Sequence, residues 1–103
     1  MNNFADIKRK LIVGQPLKCL RNDFSDKYVG KTRKIEKMQT NAIKFEGGSR
    51  LGFPKAKYVE VINENTFSLV EGTWANIAER DFNEGKRIVY QFVTNKKEDK
   101  ANE

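Results

Sequence analysis

Residues 30–56, GKTRKIEKMQTNAIKFEGGSRLGFPKA, decide the fold. Lys31–Met38 carries Ile35 among basic residues and reads as one strand after Gly30. Gln39–Phe45 reads as the next, with Ile43 and Phe45 on one face and Ala42 and Lys44 on the other, the period-two alternation of a half-buried strand. Glu46-Gly47-Gly48-Ser49 is a hairpin turn, because paired glycines reach the positive-φ conformations that tight turns need. Arg50–Phe53 returns as a short strand, and Pro54 breaks it or confines it to an edge.

The same grammar continues downstream. Tyr58–Ile62 alternates Val59 and Val61 inward against Tyr58, Glu60 and Ile62. Asn63-Glu64-Asn65 is a turn, and Thr66–Val70 is a strand with Phe67 and Leu69 buried. Thr73–Phe82 places Trp74, Ile77, Ala78 and Asp81 at helical spacing and reads as a short helix, with a hairpin as the alternative. After the Asn83-Glu84-Gly85 turn, Lys86–Val93 is a last strand. Upstream, Phe4, Ile7 and Leu11 predict a short helix from Phe4 to Lys10, with Lys8, Arg9 and Lys10 in its last turn, where cations complement the helix dipole. Leu17–Arg21 is the first strand, and Asn22–Tyr28 is a polar loop whose Phe24 folds back on the core. Short strands about 8–12 residues apart predict a mainly β (α+β) chain: a small SH3-like or OB-like barrel, or a strongly bent antiparallel sheet, with a short N-terminal helix. Residues 1–93 form one domain, and residues 94–103 are a charged, frayed tail.

Charge is unevenly spread. The net charge is +6. Residues 1–57 hold 14 Lys and Arg against 5 Asp and Glu, and residues 58–103 hold 6 against 9. A basic first half fits an anionic partner, whether nucleic acid, nucleotide or acidic protein surface, or else a solvated surface that keeps a small protein soluble. There is no His and a single Cys, Cys19, which reads as a buried filler. Zinc sites and imidazole catalysis are therefore not expected, nor is a disulfide within the chain. No nucleophile–base set, P-loop or paired carboxylates can be read, so we expect a binding protein, not an enzyme, with no cofactor and no metal. No apolar run approaches a membrane span and no signal-peptide core is present, so a soluble intracellular protein is expected.

The candidate binding residues cluster around the Gly47-Gly48 turn. Gln39, Thr40 and Asn41 offer donors and acceptors that suit a base edge or a nucleotide, or else begin a strand after a bulge. Pairing about the turn brings them near Arg50 and Lys55. Arg50 can fork onto an anion, Lys55 and Lys57 add point charge, and Tyr58 offers a stacking face unless the core takes it.

The order Tyr28-x-Gly30-x-x-Arg33, then Gln39-Thr40-Asn41-Ala42, then a Gly turn and Phe53-Pro54-Lys55-Ala56 resembles short proteins encoded by phages and prophages of Gram-positive bacteria. The resemblance covers roughly residues 12–70 and carries Arg33, Gln39, Thr40, Asn41, Pro54 and Lys55 over as motif positions; the segment Thr73–Phe82 is longer than it leads one to expect. It implies a counter-defence protein of the host bacterial cytoplasm, an anti-CRISPR inhibitor binding a type II-A Cas9–guide RNA complex or another host defence component. A chain of net +6 is ill suited to mimic DNA, so guide RNA, target DNA or an acidic protein patch is the expected contact. The rival expectations are a sponge, homo-oligomeric where such traps assemble, that sequesters an anionic nucleotide signal, and a plain basic nucleic-acid-binding module.

Overall fold

The computed structural model describes residues 4–40, 42–53, 55–71 and 75–93. In chain order these form α1 (Phe4–Lys10), β1 (Pro16–Asn22), β2 (Thr32–Gln39), β3 (Ala42–Phe45), β4 (Arg50–Gly52), a 3-10 turn (Ala56–Tyr58), β5 (Glu60–Asn63), β6 (Thr66–Leu69), α2 (Ala75–Asn83) and β7 (Ile88–Phe92). All seven strands join one antiparallel sheet in the order β4-β3-β2-β1-β7-β6-β5. Two sequential meanders, β1 to β4 and β5 to β7, are thus welded where β1 meets β7. Cys19 faces Tyr90 there and Leu17 faces Phe92. The sheet is open, with β4 and β5 at its edges.

The sheet is strongly bent. Register shifts interrupt β1 between Cys19 and Arg21, β2 between Ile35 and Lys37, and β5 between Val61 and Asn63, and such bulges increase local twist and bend a strand. The consequence is visible in side chains. Phe45 on β3 and Tyr90 on β7 are separated by two whole strands, a distance of about 14 Å in a flat sheet. Their ring centroids lie 5.9 Å apart. The inner faces of both meanders therefore meet in one core, which holds Ile35, Ile43, Phe45 and Leu51 from one wing and Phe67, Leu69, Ile88 and Tyr90 from the other. Ile7 from α1 and Leu11 just after it close it, and Phe4 packs edge-on against Phe53. Cys19 is buried in it, as expected of a filler.

Two strand boundaries differ from expectation. Gln39 ends β2 and pairs with Ala42, so Thr40 lies in a turn and β3 begins only at Ala42. Residues with short polar side chains compete with strand pairing by bonding their own backbone, and the chain turns where they cluster. Asn41 lies outside the described residues. Tyr58 is not in a strand: its N–H bonds the Lys55 carbonyl at 2.9 Å. That 3-10 turn drives its ring against Phe82, centroids 5.4 Å apart. The expected helix is observed as α2 over Ala75–Asn83, Thr73 and Trp74 lying outside the described residues, and Ala78 joins Tyr58 and Val70 in a second small core. The tail from residue 94 lies outside the described residues.

The basic end of α1 is largely spent on the fold. Arg9 pairs with Asp6, and the Lys10 ammonium donates to the Glu64 carbonyl in the β5–β6 turn and rests over Phe92. A polar clasp ties the opposite end. Arg21 grips Asp23 through two hydrogen bonds, and Asp23 also accepts from the Arg87 N–H at 2.9 Å. The Arg87 guanidinium stacks on Phe82 and donates to Glu60 at 2.9 Å. These hydrogen bonds hold both carboxyls below their ordinary values of 3.8 for Asp23 and 4.5 for Glu60, through Arg21 and Arg87 respectively. A depressed folded-state value gives stability that is present above the ordinary value and lost as pH falls through the lower one. The melting temperature should therefore hold from pH 7 to about 5 and fall below about 4.5. Arg87→Ala should melt lower at pH 7 and lose less on acidification; an equally steep acid limb in that variant would contradict the clasp.

Candidate functional site

The bent sheet has an outer, solvent-facing side and an inner side that opens into a pocket, and each carries basic residues.

On the outer side, register alone builds a row. Lys37 faces Lys44, and Lys44 faces Arg50, across three adjacent strands. Directly opposed like charges weaken a sheet. The neutraliser within reach is Glu36, the residue at the β2 bulge, whose carboxylate is 4.0 Å from the Lys44 ammonium. Arg50 spends its Nε on Gln39, 3.0 Å away, the two side chains meeting across β3 above fully buried Ala42. Lys34 and Lys18 extend the basic surface toward β1.

On the inner side, Arg33 is half-buried and faces Leu17 across the strand pair. Its guanidinium carbon lies 3.7 Å from the Tyr28 ring centroid and 4.1 Å from that of Phe45. Both planar faces are thus covered by aromatics, an arrangement worth roughly 0.5–2 kcal/mol per ring. Only the edge N–H groups remain to bond, and one of them donates to the Ser49 hydroxyl. The segment from Tyr28 to Arg33 makes this clamp. Gly30 adopts φ +85°, which residues bearing a Cβ rarely take, and its N–H bonds the Cys19 carbonyl at 2.7 Å. The chain thereby reverses and lays Tyr28 over Arg33. Gly47 and Gly48, also at positive φ, turn the chain so that Ser49 comes back to meet the guanidinium.

A cavity of about 200 Å³ opens beside the clamp. Tyr28, Arg33, Phe45, Ser49, Arg50, Leu51, Ile88, Tyr90, Asn22, Ser25 and Glu71 line it. Asn22 is fixed there as a turn former, accepting the N–H groups of Phe24 at 2.8 Å and Ser25 at 3.1 Å. Among the described residues, neither Arg33 nor Arg50 has a carboxylate partner. Glu71 shares the cavity without pairing to either. The Tyr90 phenol is pushed up to about 12, chiefly by burial, with Arg33 pulling the other way.

The residues singled out by sequence scatter. Arg33 and Arg50 share the cavity, and Gln39 supports Arg50. Thr40 is exposed in the turn, and Lys55 and Lys57 are exposed beyond β4. Tyr58 is 6% exposed and packs on Phe82, so its ring belongs to the core, with Lys57 lying over it. Pro54 and Asn41 lie outside the described residues. Sequence reasoning passed over Tyr28, Ser49 and Tyr90. The spacing Tyr-x-Gly-x-x-Arg held the signal for Tyr28, whereas Tyr90 reaches the site only through the bend of the sheet. Among the described residues there is no group of three or more potential metal ligands and no helix long and apolar enough to cross a membrane.

Burial holds Cys19 and Tyr90 neutral above their ordinary values of 9.0 and 10.0. A raised folded-state value gives stability that is complete below the ordinary value and lost as pH rises through the higher one. Melting temperature should thus decline from about pH 9 toward 12, and Tyr90→Phe and Cys19→Ala should each remove part of that decline. Alkaline limbs unchanged in both variants would contradict the burial of these groups. No family model matches the chain, and no curated protein or solved structure matches it.

Proposed function

We propose that this chain is a binding protein, not a catalyst, whose outer basic row docks on the phosphates of a nucleic acid held by a larger partner. The row Lys37–Lys44–Arg50 carries the reading. Three cations set opposite one another repel in the free protein, and a polyanion lying across β2, β3 and β4 turns that repulsion into attraction and releases counterions. The partner implied by the resemblance is a type II-A Cas9–guide RNA complex in the bacterial cytoplasm. Guide RNA or target DNA supplies the polyanion, and inhibition follows from occupying it. The bent sheet would then serve as a small barrel-like platform of the SH3 or OB kind, with one face given to the polymer.

A basic module that binds free nucleic acid uses the same row and is the second reading. A trap for a whole nucleotide is served less well: the cavity of about 200 Å³ falls below the range of about 300–1,000 Å³ that encloses drug-sized ligands.

In a cleavage assay with a type II-A Cas9–guide complex, the protein added before target DNA should block cleavage near one equivalent. Lys37→Glu combined with Lys44→Glu should shift the half-inhibitory concentration upward by at least tenfold. No inhibition at large excess overturns the Cas9 reading. For free duplex DNA, the row predicts a log–log salt slope of about −2 to −3, from about −0.9 per phosphate over three contacts; a flat response removes the second reading as well.

A further inference from the structure

The inner cavity is a separate site with its own chemistry. We infer that the pocket formed by Tyr28, Arg33 and Ser49 binds the phosphoryl group of a phosphate ester, holding it as a head group while the rest of the molecule stays outside.

Four observations carry this. First, Arg33 is half-buried with both faces under aromatic rings and has no carboxylate partner among the described residues. A guanidinium withdrawn from water without a counter-ion is a position an anion stabilises. Second, the clamp leaves the guanidinium little freedom. Tyr28, Phe45 and Ser49 hold it from three directions, so a ligand meets a fork already in place. Third, Ser49 and Ser25, each bearing a hydroxyl, line the same cavity beside Arg33. Donors on several sides suit a tetrahedral group of oxygens better than a planar carboxylate, which a single fork satisfies. Fourth, the volume of about 200 Å³ admits a head group and excludes a whole nucleotide.

Glu71 tunes the site. Arg33 brings one positive charge to the cavity and Glu71 one negative charge. Glu71 is exposed and, among the described residues, in no ion pair with Arg33, so its carboxylate repels an incoming anion without blocking the fork. Removing that charge should tighten binding, and removing Arg33 should abolish it. These opposite signs are not expected of a cavity that merely fills with water.

The test is a titration of the full chain followed by NMR of the Tyr28 and Tyr90 rings and the Arg33 side chain, with sodium acetate at matched ionic strength as control. Inorganic phosphate and adenosine 5′-monophosphate should shift these signals saturably, and acetate should not. Glu71→Gln should lower the apparent Kd at least threefold. Arg33→Lys, which keeps charge but loses the fork, should weaken phosphate binding at least tenfold; Ser49→Ala serves if the arginine variant does not fold. Two sources of the phosphoryl group separate in the same assay. A 5′-phosphorylated oligonucleotide that outbinds both its 5′-hydroxyl counterpart and adenosine 5′-monophosphate marks a strand end. Adenosine 5′-monophosphate binding as tightly as the oligonucleotide marks a free small molecule. Lys37→Glu with Lys44→Glu should leave phosphate binding intact, which keeps this site distinguishable from the outer row. Absence of saturable shifts, equal response to acetate, or unchanged binding in both Arg33→Lys and Ser49→Ala overturns the assignment.

Discussion

The contact between Phe45 and Tyr90 is the constraint on which the rest depends. They belong to different meanders, with β2 and β1 between them, yet their centroids lie 5.9 Å apart. A seven-stranded open sheet of so short a chain has too few helices to cover both faces. Folding the sheet over lets each wing bury its inner face against the other. The bulge residues in β1, β2 and β5 supply the bend. The weld between β1 and β7 then fixes where the bend falls. A single core results, with Phe67, Phe92 and Tyr90 ring against ring on one wing and Phe45 reaching across from the other.

The bend also sorts the charges. Residues facing inward on β2 are apolar except for Arg33, whose guanidinium is tolerated there because two rings and a hydroxyl receive it. On the outward face of β2, β3 and β4, Lys37, Lys44 and Arg50 meet in register beside Gln39 and Ala42. The second half of the chain, which carries the acidic excess, uses part of it internally: Glu60 on Arg87, Asp81 on Arg80 and Glu84 on Lys86. Apart from Lys44–Glu36, the ion pairs among the described residues lie off β2–β4, whereas Arg33 and Arg50, with no carboxylate partner there, lie at its inner and outer surfaces respectively.

Much of this was legible in the sequence. Alternation at Ile43 and Phe45, the Gly-Gly turn and the periodicity of Phe4, Ile7 and Leu11 gave correct elements, because each signal is local and so is the physics behind it. Gln39 to Asn41 was harder, since polar side chains mark strand starts and turns alike, and only the Gln39–Ala42 pairing decides. Tyr58 illustrates a second limit: alternation placed it beside strand residues, but a single backbone hydrogen bond to Lys55 rotates it into the core. The cavity was the least legible feature. It brings together residues from the 22–31 loop, β2, the Gly47-Gly48 turn and β7, and no periodicity encodes how far a sheet bends. Charge asymmetry marked the basic half of the chain, and register, invisible without the fold, sets its lysines in a row.

The most direct test of this account is a nuclear Overhauser measurement between the rings of Phe45 and Tyr90 in solution. A bent sheet predicts a cross-peak between their ring protons, together with peaks from both Tyr28 and Phe45 to the Arg33 side chain. A protein that shows the β1–β7 and β2–β3 backbone contacts but no Phe45–Tyr90 cross-peak has a flatter sheet, and both the shared core and the inner pocket described above would then be wrong.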